Sequence, residues 1–140
     1  MGQVLGMTSS LLPNTWFDID DCRLMSLGPG QWFLQFPEDI EKDYRQCLIG
    51  AAGGYHHAVT DVSDQFTAYR LWGADRRAII AQGTSLNLGP DYFGEYRCTR
   101  CAFARITIVL SQFNLTCDEI IVESSYADYL CAWLKKARGD

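Results

Sequence analysis

The chain has 140 residues and a net charge of −5, with 48% hydrophobic and 13% aromatic residues. That length fits one domain, and the apolar content is sufficient for a packed core. The acidic balance argues against nucleic-acid or anionic-membrane binding, which needs a basic face, and no stretch approaches the roughly 20 apolar residues of a membrane span.

The N-terminal stretch MGQVLGMTSSLLPNTWFDID shows no clean periodicity. We therefore predict an irregular arm over residues 1–21 and a single domain over residues 22–140. The stretch lacks the basic start and apolar run of a secretory signal, and Gly6 stands where a myristoylation signal has Ser or Thr. We expect a cytoplasmic protein whose six cysteines are reduced thiols.

The N-terminal half predicts a hairpin followed by a helix. Residues 22–27 (CRLMSL) and 31–36 (QWFLQF) are strand candidates on either side of a Gly-Pro-Gly turn. Pro37 can open a helix, because its missing N–H has no intrahelical partner at that position. A further strand is expected at residues 58–62. The apolar face of the helix is predicted to consist of Ile40, Tyr44, Cys47, Leu48 and Ala51.

The best-formed unit runs from Asp61 to Gly83. Residues 66–72 (FTAYRLW) have the aromatic and aliphatic composition of a strand, and Gly73 breaks that strand. A short helix then begins with Asp75 in its first turn and ends near Gly83. Residues 84–94, which contain Gly-Pro, are predicted to form a connecting loop.

The C-terminal part predicts two strands and a helix. Residues 98–111 form the longest β-prone run, and residues 106–110 are apolar on both faces, as in a central strand. Residues 118–123 are its predicted partner strand, and Ser125 with Asp128 predicts a capped final helix. A strand, a break and a helix thus follow one another three times. We predict an α+β fold with mostly antiparallel sheets.

The sequence CTRC is the one motif that resembles a site. Cys98 and Cys101 have the spacing of a zinc or redox pair, but Cys117 and Cys131 do not form the second CxxC of a zinc site. Residues three apart in a strand face opposite sides, which favours a role as small buried residues. A metal or redox role stays open as the alternative.

The other titratable residues do not form a recognisable catalytic motif. His56 and His57 are adjacent, and they are the only two histidines, so a Ser–His or Cys–His arrangement is poorly supported. The Asp18, Asp20 and Asp21 cluster could bind a cation, although a solvated segment is the simpler interpretation. No phosphate-binding glycine motif occurs. We predict no catalytic, cofactor-binding or metal-ligating residue in this chain.

Two arginines and four tryptophans suggest protein contacts. Arg76 and Arg77 stand at the start of a helix, where the dipole favours acids. They could pair with carboxylates of a partner, but a solvated surface position is the simpler expectation. The tryptophans could belong to the core or to an interface. They are Trp16, Trp32, Trp72 and Trp133.

Four segments in the same order resemble the gamma subunit of heterotetrameric sarcosine oxidase. The first segment is LGPGQWFLQF. The second and longest is DVSDQFTAYRLWGADRRAIIAQGTSLNLGPDYF, in which the chain leaves the predicted helix through Gly83 to Leu88. The others are CTRCAFARITIVLSQF and IIVESSYADYLCAWLKKA. The resemblance covers residues 22–138. It implies the fold of the folate-binding domain of glycine-cleavage aminomethyltransferases, with two pseudo-repeated β-β-α-β-β-β-α-like halves.

The resemblance also implies a function. In that family the enzyme demethylates sarcosine oxidatively and passes the one-carbon unit to tetrahydrofolate. FAD, FMN, NAD, zinc and tetrahydrofolate sites are implied for partner subunits and none for this chain. The expected partners are a large alpha-type subunit and the other subunits, with self-association when the chain is isolated.

We therefore expect a structural, non-catalytic gamma-type subunit. One alternative is a subunit of the related N-methylglutamate dehydrogenase. Another is a free-standing folate-binding or one-carbon transfer domain, although no counterpart of the aminomethyltransferase catalytic-aspartate segment is present. A zinc or thiol-redox protein is the least favoured alternative.

Overall fold

The structure is a computed structural model that describes residues 12–37, 39, 41–51, 53–54 and 56–140. The chain divides into two compact units, residues 1–61 and residues 62–140. Antiparallel sheets combine with helices in the described residues, so the predicted α+β class is confirmed. The two related halves stay a prediction. No helix in the described ranges is long and apolar enough to cross a membrane.

The first unit contains a three-stranded antiparallel sheet and a helix. Strands β1 (Thr15–Ile19), β2 (Cys22–Gly28) and β3 (Gln31–Gln35) lie in that order, with β2 in the middle. Helix α1 spans Glu41–Ala51. The strands predicted at residues 22–27 and 31–36 are therefore confirmed. Of the predicted apolar helix face, Leu48 is buried, whereas Cys47 is exposed.

Strand β1 corrects the prediction of an irregular N-terminal arm. Residues 15–19 pair with β2 from Thr15–Ser26 to Ile19–Cys22, while residues 1–11 of that predicted arm lie outside the described residues. A single buried side chain, Trp16, is too little to produce a visible period in five residues. Asp20 closes the two-residue turn with φ 51°, a left-handed conformation that Asp tolerates. The boundary between arm and domain at residue 21 otherwise stays a prediction.

The second unit contains four strands and two helices, which are β4 (Phe66–Trp72), α2 (Arg76–Ala81), β5 (Cys98–Phe103), β6 (Ile106–Asn114), β7 (Cys117–Glu123) and α3 (Ala127–Arg138). The strands form an antiparallel sheet in the order β4-β7-β6-β5. A hydrophobic cluster lies on one face of the sheet. Ile108 is paired with Val122 and Leu110 with Ile120, so these four buried side chains point the same way. They form one cluster with buried residues of both helices and of the connecting segments.

The long β-prone run is a hairpin. β5 and β6 are joined at Ala104 and Arg105, whose φ values of 47° and 71° are those of a two-residue hairpin turn. The turn lacks the usual Asn-Gly signal, so the sequence pattern did not reveal it. The predicted central position of residues 106–110 is confirmed, because β6 lies between β5 and β7.

Two local predictions are wrong, and a third stays a prediction. Residues 58–62 form no strand, because no described strand pairs with them. Whether the first helix opens at Pro37 stays a prediction, because α1 is described from Glu41 onward and residues 38 and 40 lie outside the described residues. Ser125 does not cap α3, because a 3₁₀ turn over Ser124–Tyr126 moves the helix start to Ala127. The residue preceding α3 is Tyr126, which makes no side-chain cap hydrogen bond.

Candidate functional site

A buried carboxylate on β7 organises one end of the second unit. Asp118 has a side chain that is 1% exposed and accepts hydrogen bonds from two arginines of α2. Arg76 donates from Nε to Oδ2 at 2.8 Å. Arg77 donates from Nε to Oδ2 at 3.2 Å and from Nη2 to Oδ1 at 3.1 Å, a bidentate pair. One buried negative charge is thus shared between two guanidinium groups.

The neighbouring carboxylate on β7 is bound on the other face of the sheet. Glu119 is also 1% exposed at its side chain and accepts a hydrogen bond of 2.9 Å from Nε of Arg70. Arg70 stands directly opposite Glu119 on β4, and its guanidinium lies 3.7 Å from the centre of the Phe113 ring. Successive strand residues point to opposite faces, so each carboxylate requires its own arginine.

This arrangement corrects the expectation that Arg76 and Arg77 are solvated. Their side chains are 14% and 22% exposed, and their carboxylate belongs to this chain. The sequence contains a usable signal, because the adjacent acids Asp118 and Glu119 directly precede the apolar residues Ile120, Ile121 and Val122 in the same strand. A buried carboxylate needs a hydrogen-bonded cation, and the helix that follows β4 carries two.

Arg77 also anchors the loop that leaves α2. Its Nη1 donates to the carbonyl oxygens of Leu88 and Phe93, each at 2.8 Å. Phe93 is buried in the core, whereas Tyr92 beside it is 69% exposed and Tyr96 is exposed as well. The loop therefore has a fixed interior side and presents two tyrosines on its outer side.

Arg76 joins two turns at the end of the sheet. Its Nη1 donates to the Gly73 carbonyl at 3.2 Å, and its Nη2 donates to the Leu115 carbonyl at 3.0 Å. Gly73 has φ 110°, a backbone conformation that side chains disfavour, and directly follows the exposed Trp72. One guanidinium thus holds together the turn after β4 and the turn between β6 and β7.

The CTRC motif lies along β5 with its cysteines on opposite faces. Cys98 is fully buried, and Cys101 is half-buried beside the apolar core. Burial raises the pKa of the Cys101 thiol, and a hydrogen bond with Thr84 offsets part of that rise. All six cysteines are free thiols. Within the described ranges, no three His, Cys, Asp or Glu side chains come together as metal ligands would.

The remaining candidates from the sequence are dispersed. His56 and His57 are exposed in a segment without helix or strand. Of the acidic cluster, Asp18 accepts bidentate hydrogen bonds at 2.7 and 2.8 Å from Arg23, so it is not simply solvated. Asp20 and Asp21 occupy the turn between β1 and β2.

The four tryptophans fall into two classes. Trp16 is buried under the guanidinium of Arg23, which lies 3.7 Å from the ring centre. Trp133 packs edge-on against Phe103 with ring centres 4.8 Å apart. Trp32 and Trp72 are 42% and 65% exposed, so they remain available to contact another molecule.

Comparison with known proteins gives one family and one fold. The family described as "sarcosine oxidase, gamma subunit family" matches residues 3–140. Among solved structures, the chain is similar to one of a heterotetrameric sarcosine oxidase from Corynebacterium sp. U-96 in complex with pyrrole 2-carboxylate. The TM-score is 0.85 at 20% sequence identity, over 97% of this chain and 69% of that chain. The search among curated proteins gives no match.

Proposed function

This chain belongs to the sarcosine oxidase gamma subunit family, and from that premise we propose that it is a non-catalytic subunit of a heterotetrameric sarcosine oxidase-like flavoenzyme. The match over residues 3–140 carries the proposal, because it spans nearly the whole chain and confirms the resemblance seen in the sequence. The shared fold, with a TM-score of 0.85, agrees with it.

The charges of the second unit support a structural role. Asp118 and Glu119 are held by Arg70, Arg76 and Arg77, so these buried ionic groups already hydrogen-bond to one another. Such a network rigidifies a scaffold. We assign the FAD, FMN, NAD, zinc and tetrahydrofolate sites of the complex to its other subunits. The cytoplasmic location stays a prediction.

The loop over residues 84–97 is the surface that best fits a partner subunit. Arg77 holds its inner side at Leu88 and Phe93, so presenting Tyr92 and Tyr96 to a partner costs little further ordering. Tyrosine is enriched among residues that dominate binding energy, since it combines a large apolar ring with a hydrogen-bonding hydroxyl.

Co-purification tests the proposal. The tagged chain is expressed with the products of its neighbouring genes, and we expect it to retain a large flavin-containing partner. Tyr92→Ala should weaken that retention by about tenfold or more, as truncation of a binding hot spot does. Tyr126→Ala, which removes another exposed tyrosine outside the loop, is the matched control and should leave retention unchanged.

Two further measurements separate the alternatives. Failure to recover any flavoprotein would contradict the proposed function, whereas equal retention of both tyrosine variants would contradict only the contact surface. Calorimetry of the isolated chain with tetrahydrofolate should show no binding, and micromolar affinity would favour a free-standing folate domain instead. Turnover of sarcosine against N-methylglutamate by the recovered complex distinguishes the two related enzymes.

A further inference from the structure

Strand β4 has an open edge in the described part of the chain. It hydrogen-bonds to β7 on one side, and no described strand pairs with its other side. Its pairing runs without a bulge over seven residues, from Phe66–Glu123 to Trp72–Cys117. A straight edge of this kind presents a row of backbone N–H and C=O groups that another extended strand can bind.

The residues of β4 itself lack the side chains that usually protect an edge strand. The strand has no proline and no lysine, and its single charge, on Arg70, is directed at the buried Glu119. Its exposed side chains are Ala68, Arg70 and Trp72, which share one face of the strand. By contrast, the opposite edge strand β5 carries the exposed Arg100 near its middle.

We propose that the isolated chain forms a symmetric dimer in which β4 pairs antiparallel with β4 of a second copy, centred on Tyr69. A two-fold axis perpendicular to the sheet keeps equivalent faces together, so the two four-stranded sheets would join into one. This register pairs all seven residues of β4. It places Phe66 opposite Trp72 of the second copy, and aromatic cross-strand pairs are among the favourable ones.

The charge pattern of β4 fits itself in this register. Each Arg70 stands opposite the small, uncharged Ala68 of the second copy, so no like charges meet. A shift of the centre to Arg70 would set two guanidinium groups directly opposite each other, which is destabilising. A centre at Ala68 avoids that clash but leaves Leu71 and Trp72 unpaired, so the Tyr69 register is the one that pairs the whole strand without opposing like charges.

This register predicts that a charge introduced at Ala68 changes the dimer dissociation constant in a direction set by the sign of that charge. Sedimentation equilibrium of the purified full-length chain should show a monomer–dimer equilibrium. Ala68→Lys places a cation opposite Arg70 twice per dimer and should raise the dimer dissociation constant by about fivefold. Ala68→Glu places an anion there and should lower the constant by a similar factor, with the gain lost at high salt.

The same two substitutions at Ala102 provide the matched control. Ala102 is also an exposed alanine on an edge strand, but it belongs to β5, so Ala102→Lys and Ala102→Glu should leave the constant unchanged. Equal circular dichroism spectra and melting temperatures check that the variants fold. As an independent measurement on the unmodified chain, amide exchange in β4 should slow as concentration rises.

A chain that stays monomeric at all concentrations would overturn the proposal. So would a Lys and a Glu variant that change the constant in the same direction, or a control at Ala102 that behaves like Ala68. This dimer concerns the chain alone, so its failure leaves the proposed subunit role untouched, and failure of the subunit role leaves the dimer untouched.

Discussion

Arg77 binds both carboxylate oxygens of Asp118, with Nε 3.2 Å from Oδ2 and Nη2 3.1 Å from Oδ1. The residues are 41 positions apart in the chain. Their pairing connects α2 to β7, an interior strand of the sheet. Because Arg76 binds the same carboxylate, one side chain of β7 fixes the position of α2 and of both turns that Arg76 contacts.

The substitution Asp118→Asn should destabilise the protein strongly. It keeps the shape of the side chain but leaves two largely buried guanidinium groups without their counter-charge, and breaking a buried pair in this way costs about 3–5 kcal/mol. Urea unfolding measures the loss. Asp91→Asn, in the exposed loop, is the matched control, and its effect should stay within about 0.5 kcal/mol. Equal losses for the two variants would show that the cluster is not what holds α2.

Arg77→Lys should loosen the loop over residues 84–97 while leaving the fold intact. A lysine ammonium is a point donor and cannot bind Asp118 in a bidentate manner while also reaching the carbonyls of Leu88 and Phe93. We expect a loss of about 1–3 kcal/mol, from carbonyl groups left without donors, and faster limited proteolysis within the loop. Arg100→Lys, at an exposed position of β5, should change neither quantity; an unchanged digestion pattern for Arg77→Lys would argue against the anchor.

Gly83→Ala should destabilise the protein by overpacking. A Cβ at residue 83 would lie 2.6 Å from the ring of Phe103, which is fully buried. Relief requires a shift of the core and costs about 1–3 kcal/mol. Gly50→Ala in α1 is the control of opposite sign, because a Cβ there meets nothing within 4 Å and alanine favours the helix. The melting temperature should therefore fall for Gly83→Ala and rise for Gly50→Ala.

Stability should fall at alkaline pH. Burial raises the pKa of the Cys101 and Cys117 thiols, and it is also the main cause of the raised pKa of Tyr69. The unfolded chain loses these protons first, so their contribution is constant below the ordinary thiol pKa of about 8.5 and declines as pH rises above it. Urea midpoints from neutral pH upward measure the decline. Cys101→Ala should make it shallower, whereas Cys47→Ala, which removes an exposed thiol, should not.

Local composition was sufficient for most elements of this fold. Runs of aliphatic, aromatic or β-branched residues predict the central position of β6 and the strands at residues 22–28, 31–35, 66–72 and 117–123. These signals are local, since each element is favoured by residues within itself. The order of four quoted segments also carried the family resemblance, which the match over residues 3–140 confirms.

Three local features of the structure do not follow from the sequence pattern. Strand β1 buries only Trp16, and the hairpin turn at Ala104 and Arg105 lacks a glycine. The predicted cap at Ser125 failed because the hydroxyl of the preceding residue, Ser124, contacts Thr67 and Asp64 and the chain forms a 3₁₀ turn there. The first two features were missed because their local signals are weak, whereas at Ser125 contacts of the neighbouring Ser124 with distant residues accompany a different local structure.

The sequence by itself determined the fold class and the family, because periodicity and the order of motifs are properties of the chain read in one direction. Only the tertiary structure decided which charges are buried and which aromatic residues are exposed. Arg76, Arg77 and Asp118 look like surface residues until β7 and α2 come together, since the pairing of charges depends on distances that the order of residues does not contain. The same holds for Trp16 and Trp72, one buried and one exposed.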